Sequence, residues 1–328
     1  MFDIYKINLQ LFAELNTNVT GDSGLSVENK TFYDMTLIDE AQANLVHDQF
    51  GQKRPIPKNG GKKIEFRKFA SLPKATTPLT EGVTPDGKKL SVTSIEAEVS
   101  QYGDYIVQSD VLELTTIDNT IVEATKILGR QAGLTLDTIT RNVLQSGTNV
   151  FYCPKSDGTA VTSRANLDET CKLTVDVVNR VVAFLKKNNA PKINGDYVAI
   201  IHPLVAYDLF SDPSWISAHL YATPENIYNG ELGKIGGVRF VESSEAKVYE
   251  GGVFGCLFLG DGAYGITEIT GGGLETIIKQ KGSAGTADPL NQRSSIGWKG
   301  MKTAEILVEP YMVRVECKSA LSSEAEVN

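Results

Sequence analysis

Hydrophobic residues at helical spacing open the patterned part of the chain. Leu37, Ala41, Leu45 and Val46 fall three or four apart within Phe32–Phe50, which predicts an amphipathic helix. Gly51 is expected to end it, and Pro55 and Pro57 to prevent another. The period then changes to two. Ile64 and Phe66 alternate with Glu65 and Arg67, and Ile95, Ala97 and Val99 alternate with Glu96, Glu98 and Ser100. The second run continues through Tyr105, Ile106 and Val107. Pro73, Pro78, Gly82, Pro85 and Gly87 lie between the runs, so the segment reads as one long β-hairpin with a turn-rich tip. Arms of about 12 to 15 residues would project roughly 40 to 50 Å. A charged hairpin of that length cannot bury itself on a small domain; the simplest partner is a neighbouring copy.

A long helix is expected next. Ile117, Ile121, Ala124, Leu128, Ala132, Ile139 and Val143 keep mostly to one face, from about Asp118 to Ser146. Its length is about 43 Å at about 1.5 Å per residue. Thr116 or Asp118 can cap its start, and Gly147 can close its end. Gly129 and Gly133 inside it each cost about 1 kcal/mol relative to Ala. They are either tolerated or leave a flat stripe where another element approaches. The second half is α/β in pattern. Thr174–Asn189 reads as a helix with Val178, Val181, Val182 and Leu185 inward and Pro191 beyond its end. Tyr197–Ile201, Val238–Val241 and Val253–Leu259 read as strands, and Pro203–Phe210 as a helix with Pro in its first turn. Ala304–Cys317 is either a strand pair or one strand broken at Pro310.

Composition adds exclusions. The chain has 328 residues, 41% of them hydrophobic, and a net charge of −8. That is a globular composition with ample core, neither a disordered tail nor a fibre. No apolar run approaches the roughly 18 residues of a membrane span. The charge is unevenly placed. Lys53, Arg54, Lys58, Lys62, Lys63, Arg67, Lys68 and Lys74 are opposed only by Glu65, a local +7 that leaves −15 for the remainder. A basic strip on an acidic body suits association between copies. As a nucleic-acid arm the strip would offer phosphate contacts, with Phe66 and Phe69 for stacking. The acidic body favours the structural reading, in which Phe66 packs as a strand residue.

Catalytic signatures fail one after another. Gly230–Ile235 is too short for a phosphate loop and reads as a turn. Gly251-Gly252-Val-Phe-Gly255 is not at a strand-to-helix turn. There is no G-x-S-x-G elbow. The three histidines, His47, His202 and His219, have no carboxylate or nucleophile proposed beside them by the local sequence. Cys153, Cys171, Cys256 and Cys317 are scattered, form no C-x-x-C pair, and read as buried free thiols in a reducing compartment. No catalytic, cofactor or metal site is assigned.

The order of short stretches carries a resemblance. Asn44-Leu-Val-His-Asp-Gln-Phe-Gly51, Ile64-Glu-Phe-Arg67, Pro78-Leu-Thr-Glu-Gly82 and Gln101-Tyr-Gly-Asp-Tyr105 come first. Gln131-Ala-Gly-Leu-Thr-Leu-Asp137, His202-Pro203, Asp212-Pro213, Val238-Arg-Phe-Val-Glu242 and Ile296-Gly-Trp-Lys299 follow. From about Phe32 to Cys317 the chain resembles the major capsid proteins of tailed bacteriophages and prophages, more narrowly the family typified by the coliphage N-four capsid protein. No one motif is diagnostic; their order and number make the likeness.

The resemblance implies an α+β chain with the Hong Kong ninety-seven-type capsid fold. Residues 1–60 would be the N-terminal arm, 61–110 the extended β-hairpin loop, and 111–172 the peripheral domain with its spine helix. Residues 173–290 would form the axial domain, and 291–328 strands returning to the peripheral domain. It implies self-assembly into hexamers and pentamers of an icosahedral virion shell, formed in the host cytoplasm around double-stranded DNA that it touches weakly and non-specifically. A closed shell needs heterologous contacts that adapt to two ring sizes, which arms and hairpins provide. A portal protein and a scaffolding protein are expected partners. Only about thirty residues precede Phe32, so any scaffold is expected to be a separate chain. Candidate inter-subunit contacts are Lys53, Arg54, Lys58, Lys62, Lys63, Arg67, Lys68, Lys74, Glu81, Lys88 and Lys89. Alternatives are an encapsulin-like nanocompartment shell or another virion structural component.

Overall fold

A computed structural model describes residues 35, 37–41, 45–55, 62–69, 72, 74–84, 86–115, 120–221, 233–267, 274–283 and 288–328. The elements in chain order begin with α1 (residues 37–41), β1 (Gln52–Arg54), β2 (Lys63–Phe69), β3 (Val92–Glu98), β4 (Ser100–Ser109), α2 (Asp110–Thr115) and α3 (Thr120–Gln145). Then come β5 (Val150–Tyr152), α4 (Val175–Lys187), β6 (Tyr197–Ile201), α5 (Pro203–Phe210), α6 (Pro213–Tyr221), β7 (Lys234–Ile235), β8 (Val238–Glu242) and β9 (Val248–Tyr249). The chain continues with β10 (Val253–Leu259), β11 (Tyr264–Thr267), β12 (Leu274–Lys279), β13 (Arg293–Lys302), β14 (Ala304–Ile306) and β15 (Met312–Cys317).

The expected long hairpin divides in two. β2 and β3 pair antiparallel over seven residues each, from Lys63 opposite Glu98 to Phe69 opposite Val92. That is about 23 Å at about 3.3 Å per residue, half the predicted arm. The next stretch, β4, leaves the hairpin and pairs antiparallel with β13 along all ten residues. Alternating hydrophobicity marks a residue as extended and one-sided; it does not say which strand lies beside it. β12 covers the other edge of β13.

The spine helix α3 crosses this three-stranded sheet. Ala124, Leu128, Ala132 and Leu136 recur every fourth residue and bury against Leu274, Ile296 and Trp298. Leu37 and Ala41 of α1, with Leu45, close the same core. The helix predicted over Phe32–Phe50 is shorter than its periodicity suggests: residues 45–50 form turns. Gly51 is not its stop. A Cβ there would lie 2.5 Å from the Tyr264 ring, so the position is small to admit that ring.

Gly129 is where α1 presses on α3. A Cβ at Gly129 would lie 2.9 Å from Glu40 Cβ and 3.0 Å from the Leu37 carbonyl oxygen. The flat stripe therefore admits a crossing helix. Gly129→Ala favours a helix interior by about 1 kcal/mol, but overpacking against backbone costs about 1–3 kcal/mol. A net loss of up to about 2 kcal/mol is expected in urea unfolding; a gain would show that α1 does not press here.

The second core lies around a seven-stranded mixed sheet, in the order β5-β15-β10-β6-β8-β7 with β9 also on β10. β6 and β10 are buried along their whole length, which explains their unbroken apolar sequence. α4 packs Val177, Val178, Val181, Val182 and Leu185 onto this sheet. Trp215 meets Phe240 edge-on with centroids 5.4 Å apart. All four cysteines are buried here as free thiols.

The chain end is shared between sheets. β13 belongs with α3, β14 joins β11 and β1, and β15 enters the seven-stranded sheet between β5 and β10. Pro310 sits in the 3₁₀ turn Glu309–Tyr311 that separates β14 from β15. No helix among the described residues is long and apolar enough to cross a membrane.

Candidate assembly surfaces and the polar cores behind them

The β2–β3 hairpin has one buried and one charged face. Ile64, Phe66 and Ala97 bury against Leu307. The Phe66 ring covers Gly265 of β11, where a Cβ would come within 2.4 Å of it. The root of the hairpin thus rests on its own chain, contrary to the expectation that the whole hairpin needs a partner. Phe66 is closed to base stacking. The Phe69 side chain lies outside the described residues.

The charged face is partly self-paired. Lys63 Nζ donates to Glu96 at 2.7 Å, and Arg67 lies 3.3 Å from Glu65. The hydrogen bond to Glu96 raises the Lys63 pKa, and Lys63 lowers that of Glu96. Lys62 is exposed beside them, and Lys74, Glu81, Lys88 and Lys89 are exposed along the tip. Lys53 and Arg54 lie apart, on β1, which pairs parallel with β11. Lys58 and the Lys68 side chain lie outside the described residues. The tip also carries apolar side chains in the open: Leu79 is 76% exposed and Leu90 63%. Buried apolar surface contributes roughly 25 cal/mol per Å², so covering this tip would be favourable.

Behind these surfaces α3 carries two polar cores. In the first, Asp137 Oδ1 accepts the His47 backbone N–H at 2.7 Å, and Asp137 Oδ2 lies 2.6 Å from His47 Nδ1. Thr140 Oγ1 donates to Asp48 Oδ1 at 2.6 Å, and Lys302 Nζ donates to Asp48 Oδ2. The Tyr264 hydroxyl donates to the His47 carbonyl. All these side chains are buried. Burial lowers the Lys302 pKa, with Asp48 acting against it.

The second core lies at the C-terminal end of α3. Glu316, wholly buried on β15, accepts from Arg164 Nε at 2.7 Å and Nη2 at 2.6 Å. Arg314 Nε lies 3.0 Å from the same carboxylate, and Arg314 Nη1 donates to the Gln145 carbonyl. α3 has no basic residue in its last turn, so Arg314 supplies the cation its C-terminus favours. Gln145 Nε2 donates to the Gly255 carbonyl at 2.8 Å, and Tyr249 Oη donates to Gln145 Oε1 at 3.0 Å.

Comparison with solved structures gives close agreement in fold. The capsid structure of Cyanophage P-SCSP1u superposes with a TM-score of 0.63 at 15% identity, over 82% of this chain and 87% of that one. The Cyanophage Pam1 capsid gives 0.62 at 14%, over 79% and 86%. The capsid of Ralstonia phage GP4 gives 0.59 at 15%, over 79% and 84%. The chain has the phage-capsid fold. No family model matches it, and no curated protein does.

On this capsid fold His47 and His202 hold structure together. His47 has a carboxylate partner after all, supplied by Asp137 from ninety residues away. Its Nε2 is buried without a partner, and the residue is wholly inaccessible. A His–Asp pair closed to solvent has no route to a substrate. His202 caps α5, with Nδ1 accepting from the Leu204 N–H at 3.2 Å, and its ring lies 5.0 Å from Phe254. Burial lowers the His202 pKa. The His219 side chain lies outside the described residues. Among the described residues no group of three or more His, Cys, Asp or Glu could hold a metal ion.

Proposed function

We propose that the chain is the major capsid protein of a tailed phage or prophage. The observation that carries this reading is the capsid fold, shared over about four-fifths of the chain with the capsids of two cyanophages and a Ralstonia phage. The subunit assembles into hexamers and pentamers of an icosahedral head around double-stranded DNA, and it works by contact, without catalysis. In this reading 1–60 is the arm, 61–110 the extended loop, 111–172 the peripheral domain with α3, 173–290 the axial domain, and 291–328 the returning segment. Assembly takes place in the host cytoplasm with a portal and a scaffolding protein. The matched capsids lend no support to the nanocompartment alternative.

The exposed loop carries the inter-subunit contacts. Lys62, Lys63, Arg67, Lys74, Glu81, Lys88 and Lys89 set register through charge, with Lys53 and Arg54 beside the arm. Leu79 and Leu90 supply apolar contact. The test is electron microscopy of the purified chain with light scattering for mass, with and without a co-expressed scaffold. Closed shells or rings are expected. Leu79→Asp with Leu90→Asp should leave stability within about 0.5 kcal/mol, because neither touches the core, while shell yield falls at least about tenfold. Normal shells from that variant would remove the loop from assembly, and a lasting monomer from the parent chain under all conditions would remove the capsid reading.

A further inference from the structure

A cationic cavity opens beside β9 in the second half of the chain. Its volume is about 650 Å³, and Arg164, Lys247 and Lys318 line it with Tyr249, Glu250 and Val327 among others. The size lies within the usual range of a binding cavity, roughly 300–1,000 Å³. Three cations against one lining carboxylate is a concentration of positive charge on a chain whose net charge is −8.

The positive field is only partly offset from within. Glu316 is shared between Arg164 and Arg314 and is buried behind the cavity. Lys247 Nζ donates to the Asn328 carbonyl, and its pKa is lowered by burial and by the nearby Arg141 and Arg164. The Lys318 ammonium has no ion pair or hydrogen bond among the described residues. An extended segment already skirts this edge. Val248 N–H donates to Asn328 Oδ1 at 2.9 Å, and Asn328 N–H to the Val248 carbonyl at 3.4 Å. Glu324 and Glu326, in the same segment, form no ion pair with the cavity cations.

Phosphate and nucleic acid fit poorly. The Arg164 fork is filled by Glu316, and its plane stacks on Tyr249 with Cζ 3.5 Å from the ring centroid. Lys247 lies 5.7 Å from the same ring. The Arg164 fork therefore offers no bidentate grip to a phosphate, and its stacking takes up a face of the Tyr249 ring. The Lys318 ammonium remains, with the unused donors of Lys247 beside it, and such compact point charges pair with carboxylates without a bidentate fork.

We propose that this cavity docks an acidic, extended segment of a second copy of the chain. The inference rests on the self-assembling reading above. Outside the basic strip the chain carries −15, so each copy brings carboxylates in excess to its neighbours.

Two measurements test it. The first titrates the full chain, unassembled at low salt, with an acetylated pentaglutamate peptide, followed by calorimetry. Saturable binding is expected, weakened about tenfold by Lys318→Glu, the loss of one charge-assisted contact. Lys318→Gln serves as second variant if Lys318→Glu fails to fold. No saturable binding, equal binding to the variants, or tighter binding of inorganic phosphate or duplex DNA at this site would overturn the proposal. The second measures shell yield of Lys318→Glu by microscopy, where a fall with unchanged circular dichroism is expected and an unchanged yield would refute it. If the parent chain forms no shells with or without a scaffold, the capsid reading fails while the peptide titration still decides the cavity.

Discussion

Asp137→Ala is expected to destabilise the chain by about 2–6 kcal/mol, because it strands two buried polar groups at about 1–3 kcal/mol each. The carboxylate holds both the backbone N–H and the imidazole Nδ1 of His47, with both partners wholly buried. Removing it leaves two polar groups with no water and no acceptor, and a buried polar group left unpaired costs about 1–3 kcal/mol. The loss also releases the turn at residues 45–50, which carries Asp48 onto Thr140 and Lys302. Asp137→Asn keeps one acceptor oxygen and should recover part of the loss. Urea unfolding is the measurement, and the midpoint should fall with an unchanged slope. A loss below about 1 kcal/mol would show that the His47–Asp137 contact does not hold in solution.

Glu316→Ala should be comparably severe, at about 3–5 kcal/mol. It strands Arg314, which is mostly buried, and cuts both bonds from Arg164. The opposite truncation is informative because it differs. The Arg164 side chain is 39% exposed, and Arg314 still faces Glu316 after Arg164→Leu. That variant should cost about 1–2 kcal/mol, less than half as much. The asymmetry follows from which partner is left in the dry interior. Thermal or urea unfolding of the two variants and their double mutant checks it through the coupling energy. Equal losses for the two single variants would mean that water reaches Glu316.

Both predictions concern residues that sequence reasoning passed over. Nothing in the local sequence marks which carboxylate orients His47, although Asp48 is its neighbour in the chain. Asp137 sits within a helix whose apolar stripe was the visible signal. Glu316 lies in a strand-like run, next to Val315 and Cys317, with no mark to separate it from a solvent-facing glutamate. No local pattern could have joined these groups. Their bonds span sequence separations of 90, 152 and 254 residues.

The candidate assembly residues were more visible. Lys62, Lys63, Arg67, Lys74, Glu81, Lys88 and Lys89 stand exposed on the hairpin and its tip, since charge and turn residues announce solvent. Lys53 and Arg54 adjoin the same strip in sequence, yet β1 carries them to a different sheet. By sequence Phe66 suits a stacking platform or a strand residue, and its contact with Gly265 decides for the strand.

What the residues determined by themselves is local. Period-four leucines and alanines made α3, unbroken apolar runs made β6 and β10, and alternation made β2, β3 and β4. Proline and glycine placed the turns between them. These are short-range consequences of backbone sterics and of one-sided burial, and any chain with that pattern shows them. Pairing is a different matter. That β4 leaves its hairpin for β13, that β15 crosses into the seven-stranded sheet, and that α1 lies on Gly129 depend on contacts between distant segments. So do the two polar cores on α3. Such contacts form only when the whole set is buried together, because each group is stabilised by partners that the local chain does not contain.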